Sequence, residues 1–212
     1  MVIAIDGPAG AGKSTVARGV AEELGFTYLD SGAMYRCVAL TCLEWGADPT
    51  ASGEATSTAE SIEIGFEDGE VLIDGVPVTD EIRTPEVTEA ASQVSVHPGV
   101  RAAMVAEQQR LIAAGPYVTE GRDIGTVVAP NSPLKIFLTA SPEARAERRA
   151  AETGQTMAEV LAAQEERDRR DSEREHGALY AADDAITIDS SEMTADQVVA
   201  EIAGLARERG LA

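Results

Sequence analysis

The feature that most constrains this chain is a glycine-rich segment between a short apolar run and a stretch with helical character. The apolar run is Val2–Ile5, the segment Gly7–Ser14 reads GPAGAGKS, and residues 15–21 continue as a predicted helix. Strand, G-x-x-x-x-G-K-S and helix in this order are typical of a phosphate-binding loop, whose glycines let successive backbone N–H groups face one anion. The start of the helix adds the positive end of its dipole. We therefore expect a nucleoside triphosphate site; the alternative is a chance match in a glycine-rich turn.

The motif assigns a role to each of its polar side chains. The Lys13 amino group is expected to reach the β- and γ-phosphates, and the Ser14 hydroxyl to ligate Mg²⁺. The predicted ATP-binding residues are Gly7, Pro8, Ala9, Gly10, Ala11, Gly12, Lys13, Ser14 and Thr15, with Arg148 from a later helix.

Length and charge limit the class of protein. A chain of 212 residues fits one large domain with one or two excursions. A net charge of −20 argues against nucleic acid or an anionic membrane as a partner. No segment is apolar enough to span a membrane, and the chain starts with a strand rather than a basic leader, so we expect a cytoplasmic protein, and a monomer. Cys37 and Cys42 fit no metal or redox spacing and are predicted to be buried, reduced thiols.

Alternation of apolar runs and helical patterns predicts an α/β fold, with a five-stranded, doubly wound parallel sheet as a P-loop core. Helix starts are marked by Thr84-Pro85, Ser141-Pro142 and the capping box Thr194–Gln197. In such sheets ligands bind at the carboxyl ends of the strands. The predicted strands are Val2–Asp6, Phe26–Asp30, Tyr117–Glu120, Leu134–Thr139 and Ala185–Asp189.

One segment interrupts the alternation. Residues 62–66, 71–73 and 76–78, separated by Asp-Gly pairs, predict a small antiparallel sheet of three strands. Residues 47–61 before it are predicted to be a flexible or weakly structured connector. The insertion is either a subdomain for a second substrate or a decoration. The predicted organisation is a core of residues 1–46, 84–144 and 176–212, an inserted subdomain for a second substrate of residues 47–83 with the helix after it, and an arginine-rich helical lid of residues 145–175.

Several polar residues follow predicted strands or lie in the insertion. Each one alone is compatible with a capped helix or a surface arginine. Together they direct several arginines at a second anion beside the first. They are Ser31, Tyr35 and Arg36 after the second strand, Arg122 and Asp123 after the third, and Arg83, Ser92 and Arg101 between them.

The helix predicted near residues 156–175 has an apolar stripe that becomes charged. The stripe begins with Met157, Val160 and Leu161 and continues on the same face through Gln164, Arg167, Asp171 and Arg174. We interpret this face as a lid that lays arginines over the transferring phosphates and excludes water. The alternative is a solvated helix of Glu–Arg pairs. His97 and His176 have no partner at a telling spacing and are predicted to be structural or surface residues.

The motifs GPAGAGKST, LDSGAMYR, EIRTPEV, AASQVS, VTEGRDIGTVV, KIFLTAS and QEERDRRDSER occur in the order and spacing of bacterial cytidylate (CMP/dCMP) kinases, which the whole chain resembles. The resemblance implies a P-loop nucleoside monophosphate kinase that converts MgATP and CMP or dCMP into ADP and CDP or dCDP. Two positions depart from the family: Glu120 stands where Asp is frequent, which puts a water-mediated contact to Mg²⁺ in doubt, and Ala9 replaces a common serine.

The resemblance also implies residue roles. Ser92, Arg101 and Asp123 match positions that contact the cytosine base. Tyr35, Arg36 and Arg122 match the surroundings of the acceptor phosphate, with Arg83 as a supporting contact. Arg167 and Asp171 match residues near the sugar, and Arg174 belongs to the phosphate clamp. The implied catalytic residues are Lys13, Arg122, Arg167 and Arg174.

Two other functions are compatible with parts of the sequence. One is a kinase for another small acceptor, such as UMP, AMP or shikimate. The other is a non-catalytic P-loop module that senses nucleotides, which would leave the second arginine group unexplained.

Overall fold

The computed structural model describes residues 1–67, 69–173 and 177–211. The chain forms two compact units, a core unit of Met1–Asp30 with Leu111–Ala212, and a second unit of Ser31–Arg110. The strands are β1 (Val2–Asp6), β2 (Thr27–Asp30), β3 (Ile64–Glu67), β4 (Glu70–Ile73), β5 (Val76–Pro77), β6 (Tyr117–Gly121), β7 (Leu134–Thr139) and β8 (Ile186–Asp189). The α-helices are α1 (Lys13–Leu24), α2 (Ser31–Trp45), α3 (Ser52–Ser61), α4 (Pro85–Val94), α5 (Pro98–Ile112), α6 (Pro142–Thr153), α7 (Met157–Glu173) and α8 (Ala195–Glu208).

The core unit is built on a five-stranded parallel sheet in the order β2-β6-β1-β7-β8. Its central strand β1 is buried along its whole length because both of its faces are covered. The Ile3, Ile5, Leu134 and Ile136 side chains form part of the core beneath α1 and α8. The predicted parallel sheet is therefore confirmed, with each strand within one residue of its predicted bounds at either end.

The helices of the core unit begin where their capping residues predict. The Ser141 hydroxyl accepts from the Ala144 amide at the start of α6, with Pro142 in the first turn. Thr194 and Gln197 form a reciprocal capping box at the start of α8. These caps fix the point at which the chain leaves a strand end and turns into a helix.

The second unit contains α2 to α5 and an antiparallel sheet in the order β3-β4-β5, as predicted. A 3₁₀ turn, Glu81–Arg83, leads into α4, where the Thr84 hydroxyl accepts from the Val87 amide. The α4 helix packs on α2. The unit thus places the inserted sheet together with two α-helices that precede it in sequence and two that follow it.

The connector predicted for residues 47–61 is wrong, because α3 occupies most of it. Ala55, Thr58 and Ala59 are buried on one face of this helix. Close packing of small side chains replaces the usual apolar stripe: a Cβ on Gly99 would lie 2.4 Å from the Thr56 hydroxyl oxygen. The low hydrophobicity of the segment concealed this helix because small residues bury little apolar area.

Cys37 and Cys42 are buried thiols on α2, as predicted. Among the residues that the structure describes, no helix is both long and apolar enough to cross a membrane.

Candidate active site

The phosphate loop has the backbone that its glycines allow. Gly7 has a φ of 152°, and a Cβ there would lie 2.0 Å from the Leu138 carbonyl oxygen on the neighbouring strand. Gly10 has a φ of 76°, in the left-handed region. Helix α1 starts at Lys13, directly after the loop. The predicted order of strand, loop and helix is confirmed. Because no helical turn precedes them, the first backbone amides of α1 have no carbonyl partner within the helix and are available to an anion.

Lys13 lies at the centre of a group of charges. Its side chain is 6% exposed, and its Nζ donates to the Pro8 carbonyl at 2.9 Å. Burial, together with the nearby positive charges of Arg122 and Arg167, lowers the pKa of the Lys13 ammonium to about 7, while Glu120 acts in the opposite direction. Several cations therefore converge at the end of the loop, an arrangement that a bound anion would stabilise.

Arg122 and Asp171 join the end of β6 to α7. The Arg122 Nε donates to Asp171 Oδ2 at 2.7 Å, and the Asp171 side chain is only 1% exposed. Burial lowers the pKa of the Arg122 guanidinium, but the charge and hydrogen bond of Asp171 outweigh it and raise the net value. The ion pair holds Arg122 in a fixed orientation beside Lys13.

The face of α7 that the sequence singles out is turned inward. Val160, Gln164 and Asp171 are buried, and Arg167 is half-buried, whereas Met157 at the first position of the helix is exposed. Arg174, the last residue of the predicted stripe, and His176 lie outside the described residues.

The outward faces of α7 carry the Glu–Arg pairs that the alternative interpretation expects. Arg169 bonds to Glu166 and Glu173, and Arg170 bonds to Glu166, in exposed ion pairs. One helix thus carries one buried face and solvated outward faces.

The residues predicted to hold Mg²⁺ lie side by side. The Ser14 hydroxyl donates to Glu120 Oε1 at 2.7 Å, and Glu120 is 5% exposed. Adjacent oxygens of this kind suit a small hard cation. No cluster of three or more carboxylate, histidine or cysteine side chains that could hold a metal occurs among the described residues. This donor set fits a Mg²⁺ ion that takes most of its ligands from phosphates and water.

Two helices hold the backbone of the phosphate loop. The Arg145 Nη1 donates to the Ala9 carbonyl at 2.9 Å and to Asp168 Oδ2 at 2.6 Å, while Asp168 Oδ1 accepts from the Ala9 amide at 3.4 Å. The Ala9 side chain takes no part in these bonds. The serine-to-alanine departure therefore leaves them intact.

Arg148 makes a second connection to the loop. Its Nη1 donates to the Ala11 carbonyl at 3.4 Å, and its guanidinium bonds to both the hydroxyl and the carbonyl of Ser190 after β8. Sequence reasoning assigned no role to Asp168, although it lies within the QEERDRRDSER motif, and it missed Ser190, which lies outside every quoted motif. The one signal in the sequence for Asp168 was its position three residues before Asp171, which places both carboxylates about one helical turn apart on neighbouring parts of α7.

In the second unit, hydrogen bonds connect residues that are distant in sequence. The Arg101 Nη1 donates to the Tyr35 hydroxyl at 3.4 Å, and its guanidinium carbon lies 6.0 Å from the centre of the Tyr35 ring. Arg36 donates to the Ile82 carbonyl at 3.4 Å and to the Thr88 hydroxyl at 3.3 Å. Residues from α2, α4 and α5 are thus brought into one network.

The remaining candidates of this unit differ in burial. Ser31 and Ser92 are buried, and the Ser92 hydroxyl has no hydrogen-bond partner among the described residues. Arg83 is exposed and donates to the Thr79 carbonyl in its own turn at 3.1 Å. His97 is buried and bonds to the Pro49 carbonyl at 2.9 Å, which agrees with its predicted structural role.

A parallel sheet whose first strand runs into a glycine-rich anion loop, with a buried lysine opening the next helix, defines the class of P-loop nucleotide-binding proteins. The family model described as cytidylate kinase matches residues 3–208. The chain belongs to the cytidylate kinase family.

Individual relatives agree with this family. The chain is 45% identical over 215 residues to the cytidylate kinase of Mycobacterium leprae, covering 99% of this chain and 96% of that protein. It is 48% identical over 219 residues to a bifunctional pantoate ligase/cytidylate kinase of Synechococcus sp., covering 98% of this chain. The chain spans only 44% of the length of that bifunctional relative. A solved structure of an uncharacterized protein from Eubacterium ventriosum shares the fold with a TM-score of 0.57 over 98% of both chains, at 15% identity.

Proposed function

We propose that this chain transfers the γ-phosphoryl group of MgATP to CMP or dCMP, giving ADP and CDP or dCDP. Membership of the cytidylate kinase family supports the acceptor, and the phosphate loop supports the donor. The observation that carries the proposal is the convergence of Lys13, Arg122 and Arg167 at the end of the loop. Phosphoryl transfer needs alignment and neutralised charge more than a nucleophilic side chain, and these three cations supply that environment.

The acceptor phosphate is already ionised, so the reaction needs no general base. Lys13 would hold the β- and γ-phosphates, while Arg122, Arg167 and Arg174 would stabilise charge on the moving phosphoryl group. Asp171 would keep Arg122 oriented through their buried ion pair. Water must be excluded because it would otherwise accept the phosphoryl group, and this is the role we assign to residues 145–175 as a lid.

Mg²⁺ is the proposed cofactor, and it supplies positive charge to the donor phosphates when bound. The Ser14 hydroxyl would ligate it. Glu120 would contact the ion through water: although its side chain is longer than that of the Asp frequent at this position, its carboxylate lies beside the Ser14 hydroxyl. Removal of divalent cations by EDTA should abolish turnover, and added Mg²⁺ should restore it.

The acceptor would be recognised mainly by side chains. Tyr35, Arg36 and Arg122 are proposed to bind its phosphate, with Arg83 in support. Cytosine presents an amino donor beside two acceptors, which suits Ser92, Arg101 and the Asp123 carboxylate. The buried Ser92 hydroxyl would gain in the base the partner that the described residues do not give it. The sugar is assigned to Arg167 and Asp171, and Ser31 is a further substrate contact.

We propose the accompanying biology on the same grounds. The function belongs to pyrimidine nucleotide metabolism in the cytoplasm, carried out by a monomer with no nucleic acid or membrane partner. The net charge of −20 supports the last point because polyanions would be repelled. The functional division into core, inserted acceptor-binding subdomain (residues 47–83 with the helix after it) and lid is part of this proposal.

One assay tests the function. ADP release is measured by a coupled assay over a panel of CMP, dCMP, UMP, AMP and shikimate. We expect turnover with CMP or dCMP to exceed that with every other acceptor. If another acceptor were turned over faster than CMP and dCMP, that acceptor would be the substrate instead. ATP binding without any turnover would favour a nucleotide-sensing module.

A further inference from the structure

The segment that follows β6 has an uncommon backbone. Asp123 is followed by a π-helical turn, Ile124–Val128. The Asp123 carbonyl accepts from the Val127 amide at 2.8 Å, and the Ile124 carbonyl accepts from the Ala129 amide at 2.7 Å. Because i→i+5 turns are rare and short, their conformation depends on contacts from outside the turn. The first amides of such a turn have no partner within it and must find one elsewhere.

Both of the first amides bond to a single side chain. The Ile124 amide donates to Asp6 Oδ1 at 2.8 Å, and the Gly125 amide donates to Asp6 Oδ2 at 2.7 Å. Asp6 is the last residue of β1, immediately before the phosphate loop, and is 5% exposed. One carboxylate therefore connects the start of the donor loop to the segment that carries Arg122 and Asp123.

Gly125 makes this contact possible. A Cβ at this position would lie 3.3 Å from Asp6 Oδ2 and 3.1 Å from the Lys135 Cδ. The backbone of the turn thus lies directly against the carboxylate, and even a methyl group there would require its neighbours to shift by a few tenths of an ångström.

A carboxylate is an unfavourable choice for a purely structural contact here. Burial, with a smaller contribution from the charge of the nearby Asp123, raises the pKa of the Asp6 carboxyl to about 6, even though both amide bonds act to lower it. Only a group with two acceptor oxygens and no donor can serve two neighbouring amides at once, and an ionised carboxylate has that property. The two amides of the π-turn therefore explain why a carboxylate, despite the cost of its burial, occupies position 6.

We infer that Asp6 is a positioning residue that fixes the backbone after Arg122 and Asp123, and so sets the recognition of the cytosine base and acceptor phosphate. The inference rests on the proposed function. It assigns Asp6 no contact with substrate, because both of its oxygens are directed at the π-turn. Loss of its two-acceptor character should weaken acceptor recognition, while backbone binding of the donor by the phosphate loop continues.

The test compares Asp6→Asn with wild type. Asparagine keeps the shape but turns an amino group towards one of the two amides, so only one of them retains an acceptor. Dissociation constants are measured by titration calorimetry for CMP and for a non-hydrolysable ATP analogue, and kcat/KM is measured for CMP and UMP. We expect CMP to bind at least tenfold more weakly, the ratio of CMP to UMP turnover to fall, and the ATP analogue to bind within twofold of wild type.

Asp48→Asn is the matched control. Its carboxylate also accepts a backbone amide, that of Thr50 at 2.8 Å, but in an exposed loop. The variant removes the same charge but keeps an acceptor oxygen for the Thr50 amide, and it should leave both dissociation constants and the CMP to UMP ratio unchanged.

Gly125→Ala tests the same contact from the other side and decides the outcome if Asp6→Asn does not fold. Its new methyl group would press on the Asp6 carboxylate, and CMP affinity should fall three- to tenfold with donor affinity unchanged. An equal loss of donor and acceptor affinity, or unchanged CMP affinity in a folded variant, would overturn the inference. Failure of wild-type protein to bind CMP at all would instead overturn the proposed function.

Discussion

The donor loop, Gly7–Thr15, and the second unit, Ser31–Arg110, present different chemistry to a ligand. The donor loop offers backbone amides from every residue except Pro8, and its shape depends on glycine conformations and on bonds to its main chain from Arg145 and Arg148. The second unit offers side chains from separate helices, such as Tyr35 and Arg101, that meet only after folding.

The difference shows how each region tolerates change. A backbone site is insensitive to side chains that point away from the ligand, which is why Ala9 can replace serine, but it depends on whatever holds the main chain in place. A side-chain site depends on each functional group separately. We therefore expect substitutions near the loop to act on ATP and on stability, and substitutions in the acceptor group to act on CMP.

The largest effect is expected for Lys13→Met, which tests whether the donor loop has one indispensable side chain. We expect kcat to fall on the order of 10²- to 10³-fold, because a charge that stabilises the transferring phosphoryl group is lost, while CMP still binds. ADP release and CMP titration measure the two effects. The matched control is Lys135→Met, which removes the other lysine of the chain, paired with Asp184. Lys13→Met turnover within a few-fold of wild type would contradict the assigned role.

Arg145→Ala tests the dependence of the loop on its supporting helices. The side chain is 8% exposed and bonds to both Asp168 and the Ala9 carbonyl. Its loss should destabilise the fold by about 2–3 kcal/mol and raise the KM for ATP, with the KM for CMP unchanged. Thermal unfolding should show a Tm lower by roughly 4–12 °C for a chain of this size.

Arg169→Ala provides the control for Arg145→Ala on the next helix. Its ion pairs with Glu166 and Glu173 are exposed, so the Tm should change by less than about 2 °C. If Arg145→Ala and Arg169→Ala lower the Tm equally, the bonds from Arg145 to the phosphate loop stabilise the fold no more than an exposed ion pair does.

Asp123→Ala tests side-chain recognition of the acceptor. Uracil presents a carbonyl where cytosine presents an amine, so the Asp123 carboxylate should disfavour UMP. Its removal should reduce the ratio of kcat/KM for CMP to that for UMP roughly ten- to thirtyfold, with the KM for ATP unchanged. If the ratio stays at the wild-type value, Asp123 does not contact the amino group.

The smallest effect is expected for Tyr35→Phe. The Tyr35 hydroxyl accepts a long bond from Arg101, while the ring contact with the guanidinium remains after substitution. The KM for CMP should rise about two- to fivefold, and the KM for ATP should not change. Tyr180→Phe, at an exposed tyrosine, is the control. A change in the KM for ATP alone would remove Tyr35 from the acceptor group.

Much of the fold could be predicted because its signals are local. The buried strands, the caps at Ser141 and Thr194, and the glycine-rich loop each depend on residues within a few positions of one another. Helix α3 escaped prediction because it packs through small residues, and only the closeness of Thr56 to Gly99 reveals why it is buried.

The candidate site divides in the same way. The positions of Lys13 and Ser14 follow from one motif, whereas the contacts of the buried Asp6 and the half-buried Asp168 with the backbone of other loops do not. Each of these carboxylates accepts amide bonds from residues more than a hundred positions away. No periodicity or local pattern carries that information.

The amino-acid sequence by itself determined the parallel sheet, the donor loop and the inward face of α7, because hydrophobic period and backbone conformation act over short stretches of chain. The tertiary structure alone decided which buried charges meet, including Lys13 with Arg122 and Arg122 with Asp171. The physical reason is that the energy of a buried charge depends on every group that folding brings within a few ångströms of it.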